Sequence, residues 1–191
     1  MPILVVGGST KDIGKTALVC AIISALRDYD WTALKITAHD YVANIGQDST
    51  SPAIREETAR GEQTDTSRYL AAGARRALLV TRQDDGIPID EMRRALGSDR
   101  NILFESNRIV DVIEPDVCLA IVVGPPANWK PSFVRLLQKA DAVVSFEPVE
   151  IKASMLLPEI PRFELQSPDL PSPEMIDWLR SRLSLSQPRN R

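Results

Sequence analysis

Gly14-Lys15-Thr16 follows one apolar run, Ile3–Gly7, and opens another in which Ala17, Leu18, Ala21, Ile22, Ala25 and Leu26 recur at helical spacing. A buried strand, a glycine-bearing turn and a helix in that order suit the phosphates of a nucleoside triphosphate. The residues expected to bind it are Gly8, Thr10, Lys11, Asp12, Ile13, Gly14, Lys15, Thr16 and Ala17. Backbone amides of the turn would wrap the β-phosphate, and Lys15 would neutralise the β/γ oxygens. Thr16 would offer its hydroxyl to Mg²⁺. The common spacing puts a glycine five residues before Gly14, where this chain has Ser9, with Gly8 one step earlier. The loop is therefore expected to be one residue longer than the commonest version.

Two further groups carry chemistry. Glu105 ends the apolar run Ile102–Phe104, and a carboxylate emerging from a buried strand is costly unless it has a task, such as orienting Mg²⁺. Lys35 lies near the end of the run Trp31–Ile36 and, with Thr37, His39 and Asp40, forms a second polar group expected to face the phosphates. The catalytic set is thus Lys15, Lys35 and Glu105, and the metal set Thr16, Asp40 and Glu105. For Asp40 the alternative is a solvated loop aspartate. His39, the only histidine, cannot build a metal site by itself and is read as a bystander. Asp65 and Arg68 either reach the ligand or a partner subunit, or form a surface pair one helical turn apart. Asp99 and Asp116 precede strands, at the wrong ends for catalysis, and are read as surface caps. Asn128 and Glu147 follow strands on the appropriate edge. However, Asn128-Trp-Lys-Pro does not match the guanine-specifying Asn-Lys-x-Asp, and ATP or GTP stays open.

The elements that must position these groups alternate. Strands are expected at Ile3–Gly7, Trp31–Ile36, Ala77–Thr81, Ile102–Phe104, Val117–Val123 and Ala142–Phe146. Helices are expected over Lys15–Asp28, Asp65–Ala72 with Gly73 as its stop, Asp90–Leu96 and Pro173–Leu183. A turn is expected at Asp84-Asp85-Gly86, and a long polar stretch from Thr37 to Thr64. Runs such as Cys118–Val123 are apolar without alternation, as strands covered on both faces are. The fold class is therefore α/β, a P-loop NTPase with a mostly parallel sheet of six or seven strands and helices on both faces. Residues 1–184 would form one nucleotide-binding domain, and residues 185–191 a flexible tail.

Composition agrees. The 191 residues are 43% hydrophobic, enough for one full core. A net charge of −3 gives no footprint for nucleic acid, and Arg75–Arg76 and Arg93–Arg94 are read as solvated. No apolar run is long enough for a membrane. The first strand starts at once, leaving no room for a signal peptide, and Cys20 and Cys118 are read as reduced core residues. A cytoplasmic location is expected.

Three segments in order resemble the MobB family, GTP-binding accessory proteins of molybdopterin-guanine dinucleotide biosynthesis. The first is the P-loop. The second, Lys35-Ile-Thr-Ala-His-Asp40, is similar to the family's lysine–histidine–aspartate stretch. The third, Asp65-Thr-Ser-Arg-Tyr-Leu-Ala-Ala-Gly-Ala74, is similar to its Asp-Ser/Thr-x-Arg helix ending in Ala-Gly-Ala. Glu105 matches the acid of the family's Val-Glu-Gly turn, although Ser106-Asn107 follows it here, and Asn44–Glu62 looks inserted. The resemblance runs over residues 3–105. It implies Mg²⁺-dependent nucleotide binding with slow hydrolysis, a protein partner in cofactor biosynthesis, and a homodimer. The loop Gly8–Thr16 also resembles that of dethiobiotin synthetase, which shares the longer glycine spacing. That likeness implies an ATP-dependent kinase or ligase activating a small carboxylate or carbamate.

Overall fold

The computed structural model describes residues 2–38, 53–61, 63–82, 86–148 and 160–185. His39 and Asp40, the turn residues Asp84 and Asp85, most of the Thr37–Thr64 stretch and the end of the tail lie outside them. Eight strands form one sheet: β1 (Ile3–Gly8), β2 (Thr32–Ala38), β3 (Ile54–Glu56), β4 (Arg76–Arg82), β5 (Ile102–Glu105), β6 (Val117–Val122), β7 (Ala142–Ser145) and β8 (Arg162–Glu164). Five helices accompany them: α1 (Lys15–Ala25), α2 (Asp65–Ala72), α3 (Ile89–Leu96), α4 (Pro131–Leu137) and α5 (Pro173–Leu185). The strand order is β3-β4-β2-β5-β1-β6-β7-β8, parallel throughout except for β3, which runs antiparallel to β4.

Both faces of the sheet are covered. Along β6, Val117, Leu119 and Ile121 join one core cluster, while Cys118, Ala120 and Val122 join the other. This is the period-two alternation of a strand buried twice over. The first cluster takes Leu18, Val19, Ile22 and Ile23 of α1, Tyr69 and Leu70 of α2, and Met175, Leu179 and Leu183 of α5. The second takes Met92 of α3 and Phe133, Leu136 and Leu137 of α4. Strand order reverses direction around β1, which lies between β5 and β6. Ligands of open parallel sheets sit at the carboxyl end of such a strand.

Eight strands rather than six or seven is the main departure from the sequence expectation. The additional ones, β3 and β8, are three-residue edge strands that expose two residues each, too short and too polar to show a period. Helix α4 also went unpredicted. Helix α1 stops at Ala25, and Arg27–Tyr29 continue it as one 3₁₀ turn. Cys118 is buried and Cys20 half-buried, both are free, and burial pushes their thiols up to about 12 and about 11.

Asp99 is no surface cap, and Arg75 and Arg76 are not simply solvated. Asp99 is 8% exposed and accepts from Thr32 Oγ1 at 2.9 Å, from Arg76 Nη1 at 2.7 Å and from Arg75 Nη2. Arg76 also forks onto Glu56 at 2.7 and 2.8 Å, so β2, β3 and β4 are pinned together at the end of the sheet away from the P-loop. Asp116 accepts from the Ile3 amide at 2.7 Å. Burial works against the charge of Asp99, but hydrogen bonds from Arg75 and Thr32 outweigh it and hold the carboxyl below its ordinary value. Its contribution is therefore complete above the unfolded value of about 3.9 and is lost as pH falls through the depressed folded value. Asp99→Asn is expected to cost about 2 kcal/mol at neutral pH, roughly 4–8 °C in Tm. Thermal unfolding of variant and wild type should converge in acid. Parallel curves down to the lowest pH would show that the charge of Asp99 contributes nothing.

Candidate nucleotide site

The P-loop leaves β1 at Gly8 and is anchored by the serine that replaces the usual glycine. Ser9 is fully buried. Its amide donates to the Ile121 carbonyl at 2.9 Å, and its hydroxyl bonds the Val123 carbonyl and amide at 3.0 Å each. Asn107 clips the other side, accepting from the Gly8 amide at 2.7 Å and donating to its carbonyl at 2.9 Å. At the other end of the loop Gly14 caps α1 with φ +87°, in the left-handed region. A Cβ there would also lie 2.6 Å from Pro168, so the helix start requires glycine on two counts.

Lys15 reaches back across the loop and donates to the Thr10 carbonyl at 3.1 Å. Burial lowers its pKa, the nearby cations Lys35 and Lys130 lower it further, and Glu105 opposes them. This is a cation short of negative charge, at the place where a phosphate would supply it.

Four elements converge on Glu105, which is 2% exposed. Strand pairing sets Lys35 of β2 directly beside it. Lys35 Nζ donates to Oε1, and Oε2 accepts from Thr16 Oγ1 of α1 at 2.7 Å and from the Tyr69 hydroxyl of α2. Lys35 also lies 3.0 Å from Asp65, which stands 4.0 Å from Arg68. Burial works against the Lys35 charge, but Glu105 and Asp65 outweigh it and raise its pKa. Burial, with Glu105 alongside, pushes the Tyr69 hydroxyl well up, so it stays a donor.

Lys15, Thr16, Lys35, Asp65, Arg68 and Glu105 line one cleft of about 860 Å³, with Tyr69 buried behind it. Of the residues singled out in the sequence, Lys11, Asp12, Gly14, Lys15, Thr16, Ala17, Lys35, Thr37, Asp65, Arg68 and Glu105 line it. Gly8, Thr10 and Ile13 shape the loop instead: Thr10 through its carbonyl, and Ile13 by packing where a Gly8 Cβ would stand, 2.4 Å away. Asp40 lies outside the described residues. Asn128 and Glu147 do not line the cleft, and Glu147 accepts from the Gly124 amide at 3.3 Å. Sequence reasoning passed over Ser9, Tyr69, Asn107, Arg108 and Lys130. Tyr69 was within reach, since it lies four residues after Asp65 and so on the same helix face.

The cleft is lined by eight basic side chains and three acidic ones, in a chain whose net charge is −3. Such focusing of one sign in a concave site draws polyanions. The donors also suit Mg²⁺. Thr16 Oγ1 and Glu105 Oε2 are hard oxygens 2.7 Å apart, close to the roughly 3 Å between neighbouring ligands of an octahedral ion with bonds of about 2.1 Å. Among the described residues no group of three or more His, Cys, Asp or Glu could hold a metal alone. Mg²⁺ here would therefore share its ligands with phosphate oxygens, as it commonly does.

Sheet order, the reversal at β1 and the Lys-Thr loop with its facing carboxylate define an α/β P-loop fold. No protein-family model and no curated protein matches the chain. Among solved structures, it is similar to a MobB protein homolog from Bacillus stearothermophilus at 18% identity and a TM-score of 0.49, over 97% of this chain and 99% of that one. It is also similar to MobB of Bacillus subtilis, at 17% identity and a TM-score of 0.42 over 96% and 98%. What the site can do follows from its own residues. No helix among the described residues is long and apolar enough to cross a membrane.

Proposed function

We propose that the chain binds a Mg²⁺–nucleoside triphosphate in this cleft and hydrolyses it slowly, in a MobB-like accessory role in molybdenum cofactor guanylation. The observation that carries the reading is the contact between Thr16 and Glu105, 89 residues apart in sequence and 2.7 Å apart in space. It joins the P-loop to a buried carboxylate at the point where a metal-bound triphosphate needs both. The three segments that resemble the MobB family meet at this point too: Lys15 and Thr16 from the first, Lys35 from the second, Asp65 and Tyr69 from the third.

In this reading the loop amides and Lys15 bind the β- and γ-phosphates and stabilise charge that develops as the bond to the γ-phosphorus breaks. Thr16 and Glu105 would hold Mg²⁺, which would supply neutralisation of phosphate charge; Tyr69 and Lys35 fix the Glu105 carboxylate, and Lys35 stands ready for the γ-phosphate or an acceptor's anion. A homodimer, a protein partner and a cytoplasmic setting belong to the same proposal.

Calorimetric titration of the full chain with ATP and with GTP, each with and without Mg²⁺, tests it. The expected result is Mg²⁺-dependent binding with GTP preferred. A clear ATP preference would replace the accessory role by an enzyme activating a small acid, in the manner of dethiobiotin synthetase. No binding of either nucleotide would end the P-loop reading.

A further inference from the structure

We propose that the rim of the cleft formed by Arg108 and Lys130 is a second anion subsite, one that takes the phosphate monoester of a small co-substrate beside the triphosphate. The proposal deepens the function above and rests on it for the identity of the first ligand. Both residues line the cleft from outside the P-loop, one after β5 and one after β6, the two neighbours of β1. Both are held at the root. Ser106 Oγ accepts from the Arg108 and Ile109 amides at 3.1 and 3.3 Å, and Asn107, next in the chain, is bonded both ways to Gly8. The Lys130 amide donates to the Ser9 carbonyl at 3.1 Å. The two cations are thus tied to consecutive residues of the loop, from its two sides.

Their charges differ from those of Lys35, Arg68 and Arg135 in the same cleft. Lys35 is matched by Glu105 and Asp65, and Arg68 by Asp65. Arg135 of α4 is matched by Asp111 at 2.9 and 3.1 Å, a pair that ties α4 to the turn after Arg108. The side chains of Arg108 and Lys130 make no hydrogen bond or ion pair among the described residues, and both are exposed. Asp111 lies in the electrostatic reach of Arg108 but is forked by Arg135, so two exposed cations lining one cleft favour an anion there. Two charges match a phosphate monoester dianion and leave a lone carboxylate one charge short. Arg offers its fork and Lys a point charge, the pairing that phosphate sites use.

The test is titration of the full chain with inorganic phosphate, read by ³¹P line broadening, first free and then saturated with Mg²⁺ and a non-hydrolysable triphosphate analogue, with acetate as the carboxylate probe. Phosphate is expected to bind the saturated protein and acetate to bind far more weakly. Arg108→Gln and Lys130→Gln should each weaken phosphate about tenfold while moving the analogue's Kd less than about threefold. Unchanged thermal unfolding would show both variants folded. Expulsion of phosphate by the analogue, or equal loss of both ligands in the variants, would make these residues γ-phosphate ligands and overturn the subsite. Acetate binding as tightly as phosphate would overturn the ligand assignment. If the analogue fails to bind at all, the proposed function falls, and phosphate alone decides the subsite. Binding that survives Lys15→Ala and is lost in Arg108→Gln supports it, and the reverse removes it.

Discussion

Lys15→Ala is expected to weaken nucleotide binding by at least about a hundredfold, roughly 3 kcal/mol, while leaving the fold as stable as before. The two halves of this result have one cause. Among the described residues the Lys15 ammonium has a single hydrogen-bond partner, the Thr10 carbonyl. Burial and the neighbouring cations Lys35 and Lys130 push its pKa down, so its charge is a burden that only an anion relieves. Removing it takes away no packing that the core depends on and lessens the repulsion among the basic groups of the cleft. Calorimetry should therefore show lost binding, and thermal unfolding a Tm unchanged or slightly raised. A variant that still binds nucleotide with near wild-type affinity would show that the loop is not the phosphate site. A Tm lowered by more than a few degrees would show that Lys15 is structural.

The parts of this fold that could be read from sequence are those where one physical demand dominates. Cys118–Val122 is apolar without alternation because both faces of β6 are buried, and Gly73 ends α2 because it takes a left-handed φ of 111°. β3 and β8 stayed hidden because Ile54-Arg55-Glu56 and Arg162-Phe163-Glu164 earn their place through backbone pairing at the sheet edges, which leaves little trace in side-chain pattern. The site divides the same way. Lys15 and Thr16 announce themselves by spacing, and Glu105 by being a carboxylate at the end of an apolar strand. Ser9, Tyr69 and Asn107 do not, since a buried serine or tyrosine looks like any other until its partners are known. Asp99 was misread for the related reason that its three donors come from residues 24, 23 and 67 positions away. Composition concealed most of all: an acidic total charge gave no hint that the basic residues gather in one cleft.

Glu105→Ala should produce the largest loss of stability of any substitution in the site, about 3 kcal/mol or roughly 6–12 °C in Tm. The carboxylate is where β2, β5, α1 and α2 are joined through Lys35, Thr16 and Tyr69. Among the described residues, its removal leaves the wholly buried Tyr69 hydroxyl without an acceptor and Lys35 with only Asp65 to answer its charge. Tyr69→Phe is the control for the single bond. It deletes one donor, leaves the carboxylate with two others, and should cost about 1 kcal/mol. Glu105→Gln separates the structural task from the chemical one. The amide keeps the shape and can still accept from Thr16 or Tyr69, so the protein should fold and bind nucleotide through Lys15 and the loop amides. It carries no charge for a hard cation, so the gain in affinity that Mg²⁺ brings should disappear. If the Mg²⁺ effect persists in Glu105→Gln at full strength, the metal is held elsewhere, and Glu105 is a structural anchor alone. If Glu105→Ala melts no lower than wild type, the reverse holds: the buried charge contributes nothing to the fold and is kept for its chemistry.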